Sequence, residues 1–514
     1  MQQIRRDLYC DVAVIGEGVG GCAAAIAAAR RGLHVTLFEK GVTLGGLATN
    51  GYVPQVAGNI EGICLEFCRK LDEAGQLLQR GDVDYYRNPS FEPEWGKLIL
   101  ESMVVSSGAR IMYDAACVDV EMADENTIRR CVFHTKQGKI AVTARIFIDA
   151  TGDGDVAEMS GVPYEVGGAD FAGLSMSTTQ GSRWAGLNVP KYMEAEKAYR
   201  QKQIDEGVKI PVSLCWDLEE KRIAEGKLVR HVSNKYTGFF RVMIPNTPED
   251  NAEFVTFAFH SYYCQNTDAE NISRQILEQH TLMKQFMLFL RECVPGFENI
   301  RLTGTGALPG VRDSRRVFGE YMLKAADVCC GTKFDDGIAR FPEVLDCHHP
   351  TSGTLMFQRH FHMKEPQGSA VTIQHGCPAE MHPFGEPEGM EVRPNPRDYC
   401  EIPYRSLLPR KVDNLLTVGR CCSSEFHANG AMRIIGPAMG TGHAAGVAAD
   451  MALKRGVRPR DLDGREVRKV LIEEEKVPLD EPCSGHWAML RNAPGEIHVA
   501  PVGDYAAIEG VSMF

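Results

Sequence analysis

Apolar positions gather early in the chain. The run Cys10–Ile15 is short, almost wholly apolar and bounded by polar residues and glycine, which predicts a buried strand. An Ala-rich stretch follows, with a helix expected from about Gly20 to Arg31 and Gly32 placed for the left-handed residue that ends a helix. His34–Glu39 reads as a second strand, and helical periodicity returns near Gly62–Gln79 and Glu94–Ser107. Between Arg110 and Asp149 the alternating runs CVDVEM, IRRCVFHT and KIAVTARIFIDA predict a meander returning to the first sheet.

The pattern changes near Gly161. Strand-like runs (GFFRVMIP, AEFVTFAFHSYY) alternate with a long amphipathic helix around Ser273–Cys293. Residues 161–345 therefore read as an α+β substrate or cap domain, inserted into an α/β, Rossmann-like first part at 1–160. Residues 346–399 are rich in Pro, Gly and His with little periodicity, an irregular insertion. Strand, Gly-rich loop and Ala-rich helix resume over 400–456, the second part of the first fold, and 457–514 is a charged helix and tail.

A chain of 514 residues is too long for one core, so several domains are expected. The formal net charge of −12 argues against a nucleic-acid partner and against docking on an anionic membrane. No apolar run is long enough to span a bilayer, and the first residues lack a signal-peptide pattern, so a cytoplasmic location is expected. Seventeen cysteines with no CxxC pair favour reduced thiols over a disulfide framework, a zinc ribbon or an iron–sulfur cluster. The vicinal pairs Cys329-Cys330 and Cys421-Cys422 read as buried small residues before redox groups.

The segment VAVIGEGVGGCAAAIAAARRGLHVTLFEK carries the first chemistry. Gly16, Gly18 and Gly21 form GxGxxG between a predicted strand and helix, and Glu39 ends the second strand. In such a unit the glycines allow a tight turn, close approach of a pyrophosphate and close helix packing, while the acid accepts ribose hydroxyls. The segment alone fits NAD or FAD. FAD is favoured by the Gly45-Gly46 pair that follows at once, by IDATGDGD at Ile148–Asp155, and by LLTVGR with IIGPAMGTGHAAGVAA. That last run places a second helix N-terminus where negative charge on a reduced flavin would develop.

These motifs carry a resemblance. GEGVGG with EKGVTLGGLAT, then DATGDGD, GVRDSRRVFGEY, and IPYRSLLP through GHAAGVAA resemble, in order, the FAD-dependent oxidoreductases related to succinate dehydrogenase and fumarate reductase flavoproteins. The resemblance implies a glutathione-reductase-like FAD domain, FAD held covalently or not, and the reactive ring at a domain interface. The expected FAD contacts are Gly16, Gly18, Gly21, Glu39, Lys40, Gly45, Gly46, Leu47, Ala48, Thr49, Val118, Thr151, Gly152, Gly419, Arg420, Gly440, Thr441 and Gly442. It names a cofactor better than a reaction.

For the reaction, His427 and Arg433 flank the turn into the second flavin helix. His427 is a candidate proton acceptor and Arg433 a candidate clamp for a carboxylate or hydroxyl. Arg312 is a second candidate clamp, with Arg315 and Arg316 on a helical continuation pairing with acids such as Asp313 or Glu320. His348, His349, His360, His362, His375 and His382 crowd one segment near Cys347 and Cys377, where His349 is a candidate base and no compact metal-ligand spacing occurs. The leading reading is hydride transfer between flavin and a small polar organic substrate. The electron donor or acceptor is unassigned, and a homo-oligomer is possible. A flavin electron-transfer subunit and a non-redox FAD protein remain alternatives.

Overall fold

The computed structural model describes residues 4–78, 89–208, 211–229, 242–328, 332–341, 346–351 and 399–481, and by backbone alone 329–330, 355–357, 362–364 and 370–372. Its larger sheet has seven strands. Arg6–Ile15 lies at the centre, parallel to Val35–Phe38 on one side and to Gly138–Asp149 on the other. Arg110–Met112 extends the first side in parallel. The far edge of Gly138–Asp149 is used twice. Its first half pairs antiparallel with Ile128–Thr135, and its last residues pair parallel with Leu415–Thr417. A strand that late in the chain thereby enters the first sheet, as its Gly-rich sequel predicted.

The first helix runs Val19–Arg30, and Gly32 follows it with φ +90°. Nearly every residue of this helix is buried, and most are Ala. It packs against a longer helix rich in Ala and Gly, Ile435–Arg455. Small side chains let the two backbones come close: a Cβ on Gly442 would lie 2.0 Å from the Gly20 carbonyl oxygen. The fold is thus α/β with a mainly parallel sheet, its central helix pair joining the two ends of the sequence.

A second, antiparallel sheet has four strands, in the order Val242–Met243, Ala252–Ser261, Thr178–Leu187 and Arg301–Gly310. The helix Ala269–Cys293 covers it, starting four residues before the amphipathic pattern suggested. Trp184, Phe254, Phe259, Phe286 and Phe297 form a core there, separate from the cores around the larger sheet. The helices Val189–Asp205 and Leu214–Ala224 had no legible signal, because both are mostly polar with only a few buried side chains.

One local expectation fails. Arg315 and Arg316 lie on a short strand, Arg315–Val317, paired with Tyr164–Val166, not on a helix. The fully buried Arg316 reaches Glu165 across that pair at 2.8 Å and Asp313 at 3.4 Å, while Arg315 meets Asp155 at 2.9 Å. Strand pairing wins because it gives the buried guanidinium a carboxylate that a helical turn would not present. Glu320 meets Arg460 instead.

Candidate active site

A cavity of about 440 Å³ opens at the carboxyl ends of the parallel strands. That is where an α/β sheet of this kind leaves its crevice. Ile15 runs into Gly16, whose φ of +102° turns the chain and whose Cβ would collide with the Ala150 carbonyl oxygen at 2.3 Å. A Cβ on Gly21 would lie 2.0 Å from the Gly16 oxygen. Gly18 is different: a Cβ there would meet no protein atom nearer than 3.9 Å, and it would stand in the cavity. The helix Val19–Arg30 begins at Gly18 with no side chain capping it, so its first N–H groups remain available to an anion.

The second glycine pair closes on the first. Gly18 and Gly45 form an isolated parallel bridge, and a Cβ on Gly46 would lie 2.9 Å from the Gly18 Cα. Glu39 lines the cavity and accepts from Gly41 N–H at 2.6 Å and Glu17 N–H at 3.1 Å. Lys40 and Arg420 line it too. Arg420 is fixed by Asp153 at 2.9 Å and by the Ser314 hydroxyl at 2.8 Å. Burial pulls the Asp153 carboxyl upward, yet Arg420, the Ser314 hydroxyl and Lys40 together outweigh it and the net shift is downward.

At the other end Arg433 joins a buried cluster drawn from five separate segments, of which it alone lines the cavity. Arg433 lines the cavity and donates from Nη2 to the Asp346 carboxylate at 2.8 Å and to its carbonyl at 2.5 Å. Its Nε is buried without a hydrogen-bond partner among the described residues. Arg312 donates to the Ser177 carbonyl at 2.7 Å. Burial, then the charge of Arg433, pulls the Arg312 guanidinium down to about 10. His348 places Nε2 2.9 Å from the other Asp346 oxygen, and the His260 ring lies 5.3 Å from the His348 ring with Nδ1 2.9 Å from the Ser177 hydroxyl.

The charges of this cluster follow from the same geometry. Burial opposes ionisation of Asp346, but Arg433, His348 and Arg312 outweigh it and hold the carboxyl well below its usual range. Burial, then Arg312, pulls His348 down to about 4, and His260 is lowered by burial, Arg312 and His348. At neutral pH both imidazoles are neutral. Ionised Asp346 only accepts, so it assigns the His348 proton to Nε2 and leaves the Nδ1 lone pair open. That Nδ1 is buried with no hydrogen-bond partner among the described residues. Two guanidiniums against one carboxylate leave one net positive charge.

The sequence profile of the FAD dependent oxidoreductase family matches residues 11–471. The chain belongs to that family. It is an FAD-dependent oxidoreductase. Among curated relatives, dihydrolipoyl dehydrogenase 3 of Haloarcula marismortui is 32% identical over 164 residues, spanning 30% of this chain and 32% of that protein. The match thus spans about a third of that relative's length. Among solved structures, p-nitrophenol 4-monooxygenase from Pseudomonas putida aligns with 91% of this chain and 87% of its own at 10% identity and a TM-score of 0.41. A geranylgeranyl bacteriochlorophyll reductase-like protein from Thermoplasma acidophilum covers 91% and 84% at 11% identity and a TM-score of 0.39.

Of the flavoprotein contacts expected from sequence, Gly16, Gly18, Gly21, Glu39, Lys40, Gly45, Gly46, Leu47, Ala48, Thr151, Gly152, Gly419 and Arg420 line the cavity. Five do not. Val118 is a bulge residue with its side chain 44% exposed, and Ala115, Ala116 and Cys117 form the wall there. Thr49 is buried behind the wall, bonded to the Leu44 carbonyl. Thr441 accepts from Gly419 N–H at 3.1 Å and so holds the strap beside the cavity. A Cβ on Gly440 would face Ala339 and one on Gly442 would face Gly20, which makes both helix-packing positions.

The catalytic candidates divide similarly. Arg433 pairs with Asp346, and Arg312 acts on the same carboxylate through its charge. Of the four candidates only Arg433 lines the cavity; His427 is buried between Phe426 and Phe171, away from the Asp346 cluster, and burial pulls it down to about 4. His349 bonds Thr351 and also touches Phe171. Residues alternate sides along extended chain, so His348, not its neighbour, turns inward. Asp346, His348, His260 and Asn266 carried no motif of their own, and Asp346 lay just ahead of a histidine pair whose inner member was not evident. His360, His375, His382 and Cys377 lie outside the described residues, as does the side chain of His362. Cys421 and Cys422 are buried free thiols, both pushed up by burial.

Proposed function

We propose that this flavoenzyme transfers a hydride between FAD and a small anionic organic substrate, whose acidic group seats against Arg433 and Arg312. The observation that carries this is the buried net positive charge behind Arg433 at one end of the cavity, with Arg433 Nε left unpartnered among the described residues. An uncompensated buried cation is costly, and an anionic ligand removes that cost. A guanidinium also grips a carboxylate by two parallel bonds, which orients the carbon beside it.

Bound FAD supplies the hydride acceptor or donor. The chain's own groups then do three things. The glycine turns hold the cofactor, the arginines orient the substrate, and His348 Nδ1 takes or returns the proton that accompanies the hydride, with Asp346 stabilising the imidazolium. The four-stranded sheet, through Leu308 and Pro309, closes the substrate side together with Asn266 and Val311 from the loops that follow its strands, and acts as the cap. Kinship with succinate dehydrogenase and fumarate reductase flavoproteins remains an expectation drawn from the motifs.

The test is anaerobic mixing with small hydroxy, amino and unsaturated acids and with their amides, followed by flavin absorbance. Acids should change the flavin's oxidation state and the matching amides should not. Equal reaction of both, or reaction of neutral compounds only, overturns the assignment. Arg433→Lys should weaken substrate binding as well as rate, since an ammonium lacks the planar fork.

A further inference from the structure

We propose that Glu17 makes FAD uptake proton-coupled: the cofactor is held while Glu17 is the neutral acid, latching the two glycine turns together. Glu17 sits between Gly16 and Gly18, is 3% exposed and lines the cavity. Its Oε2 accepts from Gly46 N–H at 2.6 Å and its Oε1 from the Asn50 amide at 3.3 Å. Its backbone carbonyl accepts from Gly45 N–H at 3.0 Å and from the Cys22 thiol at 3.2 Å, while its N–H donates to Glu39 at 3.1 Å. One residue therefore joins the first turn, the second turn and the end of the second strand.

A carboxyl is an odd choice for this position, because cofactor phosphates must approach the same turn. The charged and titratable groups around it do not offset a negative charge. Glu39 repels it, Cys22 stays a thiol because burial raises it well above its ordinary value, and Tyr113 is engaged with Glu101 at 2.6 Å. Burial, then Glu39, pushes the Glu17 carboxyl up to about 8, against the pull of Gly46 N–H and Asn50. Two phosphate charges added beside it raise its proton affinity further.

The sign follows by linkage. A group whose pKa is higher in the complex than in the free protein leaves affinity flat below the free value and lowers it above. FAD binding should be constant up to about pH 8 and then weaken about tenfold per pH unit, roughly thirtyfold between pH 7 and 9.5.

Equilibrium dialysis of the holoenzyme at pH 7 and 9.5 reads this directly. Wild type should lose about thirtyfold in affinity. Glu17→Gln, neutral and still able to accept from Gly46, should bind tightly at both pH values. Glu17→Ala should bind more weakly at both, because the latch is gone. A flat wild-type profile overturns the proposal, as does a Glu17→Gln protein that falls as steeply as wild type. A second measurement needs no variant. Calorimetry of FAD added to stripped wild-type protein at pH 8.5, in buffers of different ionisation enthalpy, should show about three-quarters of a proton taken up, and zero uptake overturns the coupling.

Discussion

Replacing Gly442 by Ala sets two effects of opposite sign against each other. Gly442 lies inside the helix Ile435–Arg455, where Ala is favoured over Gly by about 1 kcal/mol. Propensity alone therefore predicts stabilisation. The structure predicts the reverse. The new Cβ would stand 2.0 Å from the Gly20 oxygen, and an ordinary contact needs at least 3.4 Å, so the helices must part by about 1.4 Å. The obstacle is backbone and cannot rotate away. Overpacking of this kind costs about 1–3 kcal/mol, and a gap near 1 Å forfeits up to about half of each dispersion contact along the rest of the seam. Taking about 3 kcal/mol for the clash and returning about 1 for propensity leaves a loss of about 2 kcal/mol. For a domain of ~150–250 residues that lowers the midpoint by about 4–8 °C. The assay is thermal unfolding at fixed FAD concentration, with Gly440→Ala alongside. That Cβ meets only the Ala339 side chain at 2.9 Å, so its loss should be smaller. A Gly442→Ala protein melting at or above wild type would refute the close approach of the two helices.

Further expectations concern the site. Gly18→Val should fold yet carry little FAD, because its side chain meets cavity instead of protein; full flavin loading in a folded variant counts against the placement of the phosphates. His348→Gln should slow flavin reduction by roughly a hundredfold or more with FAD content unchanged, while His427→Gln should reduce at a near-normal rate; anaerobic stopped-flow with any reducing substrate separates them. Asp346→Asn removes the charge that stabilises the imidazolium and replaces an acceptor-only group by one that also donates, so it should match His348→Gln in rate while His260→Gln does not. His348 is held down to about 4, so reduction should rise through that pH and stay flat from about 5 to 8; a rise centred near 6.5 would show an imidazole outside this cluster at work.

Much of the cofactor side was legible because it rests on local constraints. Gly16, Gly18 and Gly21 each answer to a different steric demand within six residues, and Glu39 ends the strand that the same unit requires. Gly440 and Gly442 misled because a Gly-rich helix start reads alike whether the glycines face a ligand or another helix; only the position of Gly20 decides. The substrate side was legible in part. Arg312 and Arg433 are long cations in short motifs, but Asp346, the carboxylate whose charge both feel, has no local mark. His427 drew attention by its place in sequence, yet Phe171, from far away in the chain, closes over it. Glu17 was hidden in a variable position of its motif, and its role depends on Gly46, which the sequence alone does not bring within hydrogen-bonding reach.

The pairing of Val19–Arg30 with Ile435–Arg455 also bears on how the protein is made. The first helix emerges from the ribosome with its Ala-rich face uncovered, and the helix that buries it is encoded about 400 residues later. At ~5–20 residues per second, roughly 20–80 s of synthesis separate the two. Leu415–Thr417, which completes the sheet edge beside Asp149, arrives only then as well. The cavity therefore has no finished wall until Leu415–Thr417 and Ile435–Arg455 have been made, and FAD must be acquired after that point. The nascent N-terminal third, with a sheet edge and an apolar helix face both open, is the stretch on which chaperones should act.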